Sequence, residues 1–312
     1  STMRFIAILQ SLHFHDLTNC RSDVWDCPIN SQLVYDAAMT DLRIFSYIPN
    51  PRIWKATIAA RLCGVELDLR GAKPGQLAEW LWDFEARPLT DEDRQSGNAL
   101  ARQSRTGFSG QLYKTDAFLA AHPFGAVPAA FSPDGTVGIF ESNSIARAVA
   151  RLRRRGPKLY GDDPYDAARI DSFLDVSLVF ARDGQTYLLA LNNGTINAEI
   201  HAQAAKAFET FLNGMEAALS PTLSGARGYL VGDDLSLADI VFTAELCSFA
   251  REAVHLERLA AQDLPEIFHV AVAAEYPSAL DHFAKLCAHE AFAPDIAPFM
   301  EKLEKRRRTA VS

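Results

Sequence analysis

The stretch from Asp41 to Arg70 constrains the fold most, because two short apolar runs flank one sharply punctuated helix. LRIFSY is short, apolar and aromatic, as a buried strand is. Asn50-Pro51 follows, joining a favoured N-cap to a residue favoured at the first helical position. RIWKATIAARLC sets Ile53, Ala56, Thr57 and Ala60 on one helical face and stops at Gly64, a C-cap signal. VELDLR reads as a second strand, so the unit is strand–helix–strand, in the βαβ style.

From Gly71 to about Tyr113 the pattern changes. Gly, Pro and charged residues surround a small aromatic group, Trp80, Trp82 and Phe84. This reads as an insertion with one short helix near Leu77 to Phe84. Beyond it VPAAF and VGIFE flank Pro133-Asp134-Gly135, a hairpin turn signal, and SNSIARAVARL follows as a helix. The basic, Gly/Pro-containing run from Arg151 to Pro164 reads as a connector. After it every segment reads as helix: Tyr165 to Phe180, Ile196 to Leu219, and one opening at Ser236. The last has Asp239 three residues on as a capping box, with Leu235 and Ile240 as a staple.

Across 312 residues with 48% hydrophobic content, that order suits two compact domains. The expected fold class is α/β plus all-α. Residues 1–40 form an N-terminal extension, 41–152 a βαβ-ββα domain with an insertion at about 71–113, 153–164 a linker and 165–312 an all-helical domain. A net charge of −8 argues against a nucleic-acid scaffold. Five scattered cysteines give no disulfide framework and fit a reducing compartment. No apolar run reaches the ~20 residues a bilayer span needs, and MRFIAILQS is too short a core for a signal peptide. The expectation is a cytoplasmic protein with no membrane partner.

Four segments in this order resemble the cytosolic glutathione transferase superfamily. KTDAFLAAHPFG, residues 114 to 125, is similar to the family's loop before its third strand. Val127-Pro128 stands where the family has a cis-proline. Glu141-Ser142, within FESNSIA, stands at its acidic–Ser pair. GYLVGDDLSLADIVF, residues 228 to 242, is similar to its capping-box motif in the helical domain. The nearest branches are elongation factor 1B gamma, the yeast prion-like proteins and the bacterial β-etherases. The resemblance implies a thioredoxin-like first domain, glutathione as co-substrate, no metal, and a homodimer, with a heterodimer as the alternative.

It also implies roles for residues. Ser142, as N-cap, and the free N–H groups of its helix would face the γ-glutamyl carboxylate, since helix N-termini favour anions. Glu141 would take the α-ammonium, Lys114 the glycine carboxylate, and the Val127 backbone, exposed by a cis Pro128, the cysteinyl unit. Each has a plainer alternative: a common N-cap, a strand-end acid, a solvated lysine and a trans proline on an edge strand. For the thiol, a drop of about two pKa units takes ~2.7 kcal/mol, which one hydrogen bond to a charged group supplies. The family places that donor after the first strand, where Ser46, Tyr47 and Asn50 are candidates and Ile48 stands near the usual Ser. Asn50 is equally an ordinary N-cap, and Arg52 either adds positive potential or solvates the helix. Phe173, Val176 and Phe180 would line a pocket for a hydrophobic electrophile. The alternative is a non-catalytic protein-interaction module of the elongation factor 1B gamma type. A zinc site at His13, His15, Cys20 and Cys27 matches no standard spacing.

Overall fold

The computed structural model describes residues 40–95, 100–103, 110–221 and 228–311. The N-terminal extension and its two His and two Cys lie outside the described residues. The first sheet has the order β2-β1-β7-β8, from β1 (Leu42–Tyr47), β2 (Leu67–Ala72), β7 (Ala129–Phe131) and β8 (Gly138–Phe140). β1 runs parallel to β2 and antiparallel to β7. Helix α1 (Pro51–Cys63) links the first two strands. It opens on the Asn50 side chain, which accepts from the Arg52 N–H, and closes on Gly64 at φ 64°.

Strand β1 buries residues on both faces because both are covered. Leu42 and Ile44 join the main core, shared with α1 and the helices that follow, while Phe45 joins a smaller core with Trp82, Leu112, Phe118 and Phe131. The insertion contributes Leu77, Trp82, Ala86 and Leu112 to that second core. Instead of a helix near Leu77 to Phe84, there is a 3₁₀ turn (Pro74–Glu79) and a strand, β3 (Trp80–Trp82). With β4 (Arg87–Pro88), β5 (Ala101–Gln103) and β6 (Gln111–Lys114) it forms a second four-stranded sheet, order β4-β3-β6-β5. A short helix, α2 (Asp91–Gln95), lies between β4 and β5. The Trp-Leu-Trp run favours the strand, its rings packing on β1: Phe45 meets Trp82 edge-on at 5.5 Å.

The 114–125 segment holds a helix, α3 (Asp116–Ala121), capped by Thr115. After the β7–β8 hairpin comes α4 (Ser142–Arg151). The helical part opens with α5 (Pro164–Asn193) and α6 (Ala198–Leu219), capped by Asp163 and Asn197. α5 runs well past Phe180, through Gly184. A Cβ there would come 3.2 Å from the Phe249 ring, so the glycine serves close packing and does not break the helix. Next come α7 (Leu237–Phe249), α8 (Leu256–Ala260), α9 (Val272–Glu275), α10 (Pro277–Cys287) and α11 (Ala293–Val311). No helix among the described residues is long and apolar enough to cross a membrane.

One buried acid gives this part a pH signature. Burial pushes the Glu266 carboxyl from its ordinary value near 4.5 up to about 7, against the pull of Arg307. A raised carboxyl pKa means the folded state holds the proton more tightly. The associated stability is therefore full below pH 4.5 and is lost as pH rises through 7. Urea unfolding from pH 4.5 to 8 should show this loss, and Glu266→Gln should remove about 2–3 kcal/mol of it. An identical pH profile for the variant contradicts the assignment.

Candidate functional site

The carboxyl ends of β1 and β8, the start of β7 and the start of α4 converge on one corner of the first sheet. The Val127-Pro128 peptide is cis and leads directly into β7. Glu141 follows β8 at φ 67°, ψ 123°, in backbone space that non-glycine residues rarely enter. Such outliers cost about 1–3 kcal/mol and gather at functional sites. Glu141 is itself the cap residue and makes no side-chain cap bond, so Ser142 is the first helical residue and not the N-cap. The early N–H groups of a helix have no acceptor within it. Here, among the described residues, the cap residue's side chain does not take them.

Beneath that helix start lies a lysine. Lys55, in the middle of α1, is 0% exposed. Its ammonium donates to Glu245 Oε1 at 2.5 Å, Asn143 Oδ1 at 2.7 Å and Ser142 Oγ at 3.2 Å. Burial pulls the Lys55 pKa down, and the adjacent Glu245 carboxylate opposes that pull. Asn143 in turn donates to Leu174 O and Ser177 Oγ, so one polar network joins α1, α4, α5 and α7. The sequence reading missed this network. Its one trace is a lysine spaced three and four residues before Ile58 and Ala59, both 0% exposed.

The thiol-side candidates are differently placed. Ser46 is 0% and Asn50 2% exposed, and Asn50 Nδ2 donates to Ser46 Oγ at 3.2 Å. A Cβ at Gly71 would fall 1.7 Å from the Ser46 carbonyl oxygen, so the β2 backbone lies tight beside that of Ser46. Tyr47 is half-buried against the insertion core. Arg52 is not simply solvated: it donates to Gln185 Oε1 and Ala181 O, fastening α1 to α5.

Lys114 ends β6 of the second sheet, buried, with its ammonium 2.6 Å from Gly125 O and over the Trp82 ring. It is not a solvated lysine, and it holds the loop two residues before Val127. In the same loop His122 is buried among Phe118, Phe124 and Phe140, and among the described residues its Nδ1 has no hydrogen-bond partner. Burial pulls the His122 pKa down.

Phe173, Val176 and Phe180 do not share one surface. Phe180 stacks on Phe211 at 4.3 Å inside the helical core, Val176 is 53% exposed, and Phe173 carries Arg169 over its ring. The buried stripe of α5 includes Leu174, Ser177 and Ala181. Val176 lies just off it and Phe180 turns onto the core side. Cys63, Cys247 and Cys287 are free and buried, and burial raises Cys63 to about 11 and Cys247 as well. Neither Cys63 nor Cys247 is a ready nucleophile. Among the described residues no group of three or more His, Cys, Asp or Glu comes together as a metal site would. What this corner offers chemically is a helix start suited to an anion, with the Ser142 hydroxyl held by the ion-paired Lys55.

No protein-family profile matches the chain. It is similar to elongation factor 1-gamma 1 of Oryza sativa subsp. japonica, 34% identical over 170 residues, covering 51% of this chain and 38% of that protein. It is also 34% identical over 137 residues to glutathione S-transferase F9 of Arabidopsis thaliana, covering 41% of this chain and 60% of that one. The chain thus spans less than two thirds of either relative. A solved glutathione S-transferase from Methylobacillus flagellatus KT, described with glutathione bound, superposes with a TM-score of 0.52 at 16% identity. The superposition covers 81% of this chain and 98% of that chain. The fold is that of the glutathione transferases, a thioredoxin-like part followed by a helical one.

Proposed function

Starting from a chain of the glutathione transferase superfamily, near elongation factor 1-gamma, we propose that it binds glutathione at the start of α4. The carrying observation is the uncapped first turn of that helix with the Ser142 hydroxyl set on the Lys55 ammonium. The γ-glutamyl carboxylate would take the Ser142 O–H and the first N–H groups, and Glu141, exposed beside it, the α-ammonium. The Val127 backbone would pair with the cysteinyl unit in the manner of an added strand. Lys114 would hold that loop and add positive charge toward the glycine end. In this reading residues 41–152 carry the glutathione site, and the start of α5, at Phe173 and Val176, faces a hydrophobic electrophile. The bound tripeptide supplies the thiol that attacks.

Ser142→Ala should weaken glutathione binding by about 5- to 150-fold, the 1–3 kcal/mol cost of unpairing a charged group. Isothermal calorimetry reads this directly, and an unchanged affinity removes the site.

A second reading is favoured by one observation. Ser46 and Asn50 are both buried and hydrogen-bonded to each other, leaving Tyr47 and backbone N–H groups to stabilise a thiolate. That arrangement suits a non-catalytic interaction module. Turnover with an aryl halide, an activated alkene, a peroxide and an aryl ether separates the two. Binding with turnover supports the transferase, and binding with none supports the module. A cytoplasmic homodimer belongs to either reading and is tested by light scattering and fractionation.

A further inference from the structure

We infer that Lys55 is a positioning residue of the glutathione site, fixing the Ser142 hydroxyl as a donor toward the ligand; this rests on the reading above. An ammonium has three N–H donors and no acceptor. Lys55 spends all three on Glu245 Oε1, Asn143 Oδ1 and Ser142 Oγ. A serine hydroxyl has one proton and two lone pairs. With the ammonium occupying one lone pair, the Ser142 proton is directed away from Lys55. Among the described residues no acceptor bonds to that proton. That leaves the proton to an acceptor beyond the described residues, and a ligand carboxylate is the strongest kind.

The rest of the network removes the alternatives. Asn143 cannot turn to the ligand, because its oxygen is held by Lys55 and its nitrogen by Leu174 O and Ser177 Oγ. Glu245, 3% exposed, offsets the charge of Lys55, so little net field reaches the ligand. The effect of Lys55 on binding therefore passes through the Ser142 hydroxyl. It also makes the anion seat depend on α7, which contributes Glu245, and on α5, which contributes the two oxygens that lock Asn143.

The test is a double-mutant cycle read by calorimetry with glutathione and with its analogue bearing an amide in place of the γ-glutamyl α-carboxylate. Lys55→Met alone leaves Glu245 unpaired inside, so the cycle is run in a Glu245→Gln background, with melting temperatures confirming the fold. Lys55→Met should weaken glutathione about 10-fold when Ser142 is present and less than about 2-fold when it is alanine. Lys55→Gln, which keeps an N–H donor, should regain most of the loss. Equal losses with and without Ser142, or no rescue by glutamine, overturn the inference while leaving the glutathione reading in place. A wild-type chain that binds no glutathione sinks that reading, and this inference with it. A second measurement needs no change at Lys55. In the native chain, Ser142→Ala should weaken glutathione and leave the amide analogue within about 2-fold. Equal weakening of both also overturns the inference.

Discussion

A Lys55→Met variant is expected to lose about 3–5 kcal/mol of unfolding free energy, the range for breaking a buried ion pair by removing one partner. The chain places both charges out of water: the Lys55 side chain is 0% and that of Glu245 3% exposed, 2.5 Å apart. Methionine matches the volume of the lysine stem but gives Glu245 nothing to pair with. It also strips a donor from Asn143 Oδ1 and from Ser142 Oγ. The cost lies in the stranded carboxylate more than in lost attraction, and this separates the prediction from simple bookkeeping of contacts. Adding Glu245→Gln should therefore restore at least half of the loss, because a neutral amide is far cheaper to bury than an ion. Urea unfolding of the two variants beside wild type decides it. A single variant within about 1 kcal/mol of wild type would mean that the pair is hydrated in solution.

The parts of this fold that the sequence makes legible are those set by neighbours in the chain. Asn50 caps α1 and Gly64 closes it because both signals act within one turn. The Pro133–Gly135 turn is held by Asp134, which accepts from Ser132 and Thr136 two residues either side. The strands that bracket it emerge shorter than the apolar runs suggest. Illegible parts depend on distant partners. The second sheet joins β3 in parallel to β6, pairing Leu81 with Tyr113, so strands of two to four residues acquire their identity from each other and not from local pattern. Helix α5 passes Gly184 because Phe249 occupies the space a Cβ would need. The candidate site divides in the same way. Glu141, Ser142 and Pro128 follow from a resemblance carried by short local motifs. Lys55 acquires its meaning from Glu245, 190 residues away. The fate of Ser46 and Asn50, buried against each other, follows from the packing around the end of β1, where the Gly71 backbone of β2 lies directly beside that of Ser46.

Asp239→Ala should be comparably severe, at about 3–5 kcal/mol, for a different reason. The sequence shows Asp239 as the third residue of a capping box, and a cap alone is worth about 1 kcal/mol. In the folded chain it is 0% exposed and does more. One oxygen accepts from the Ser236 N–H at 2.9 Å and the Ser236 hydroxyl at 2.8 Å. The other accepts from the Leu230 N–H at 3.0 Å and faces His282 Nε2 at 2.8 Å. Alanine strands the Leu230 and Ser236 N–H groups and the His282 nitrogen in the interior, each at a cost of about 1–3 kcal/mol that does not simply add. Three elements loosen together: the turn before α7, the start of α7, and α10, which carries His282. Asp239→Asn provides the control. It keeps the shape and one acceptor oxygen but points an NH₂ at donors on the other side, so about half the loss should remain. Chemical denaturation of the pair ranks them. If alanine costs no more than asparagine, the carboxylate acts only as a helix cap, and its links to Leu230 and His282 contribute nothing to stability.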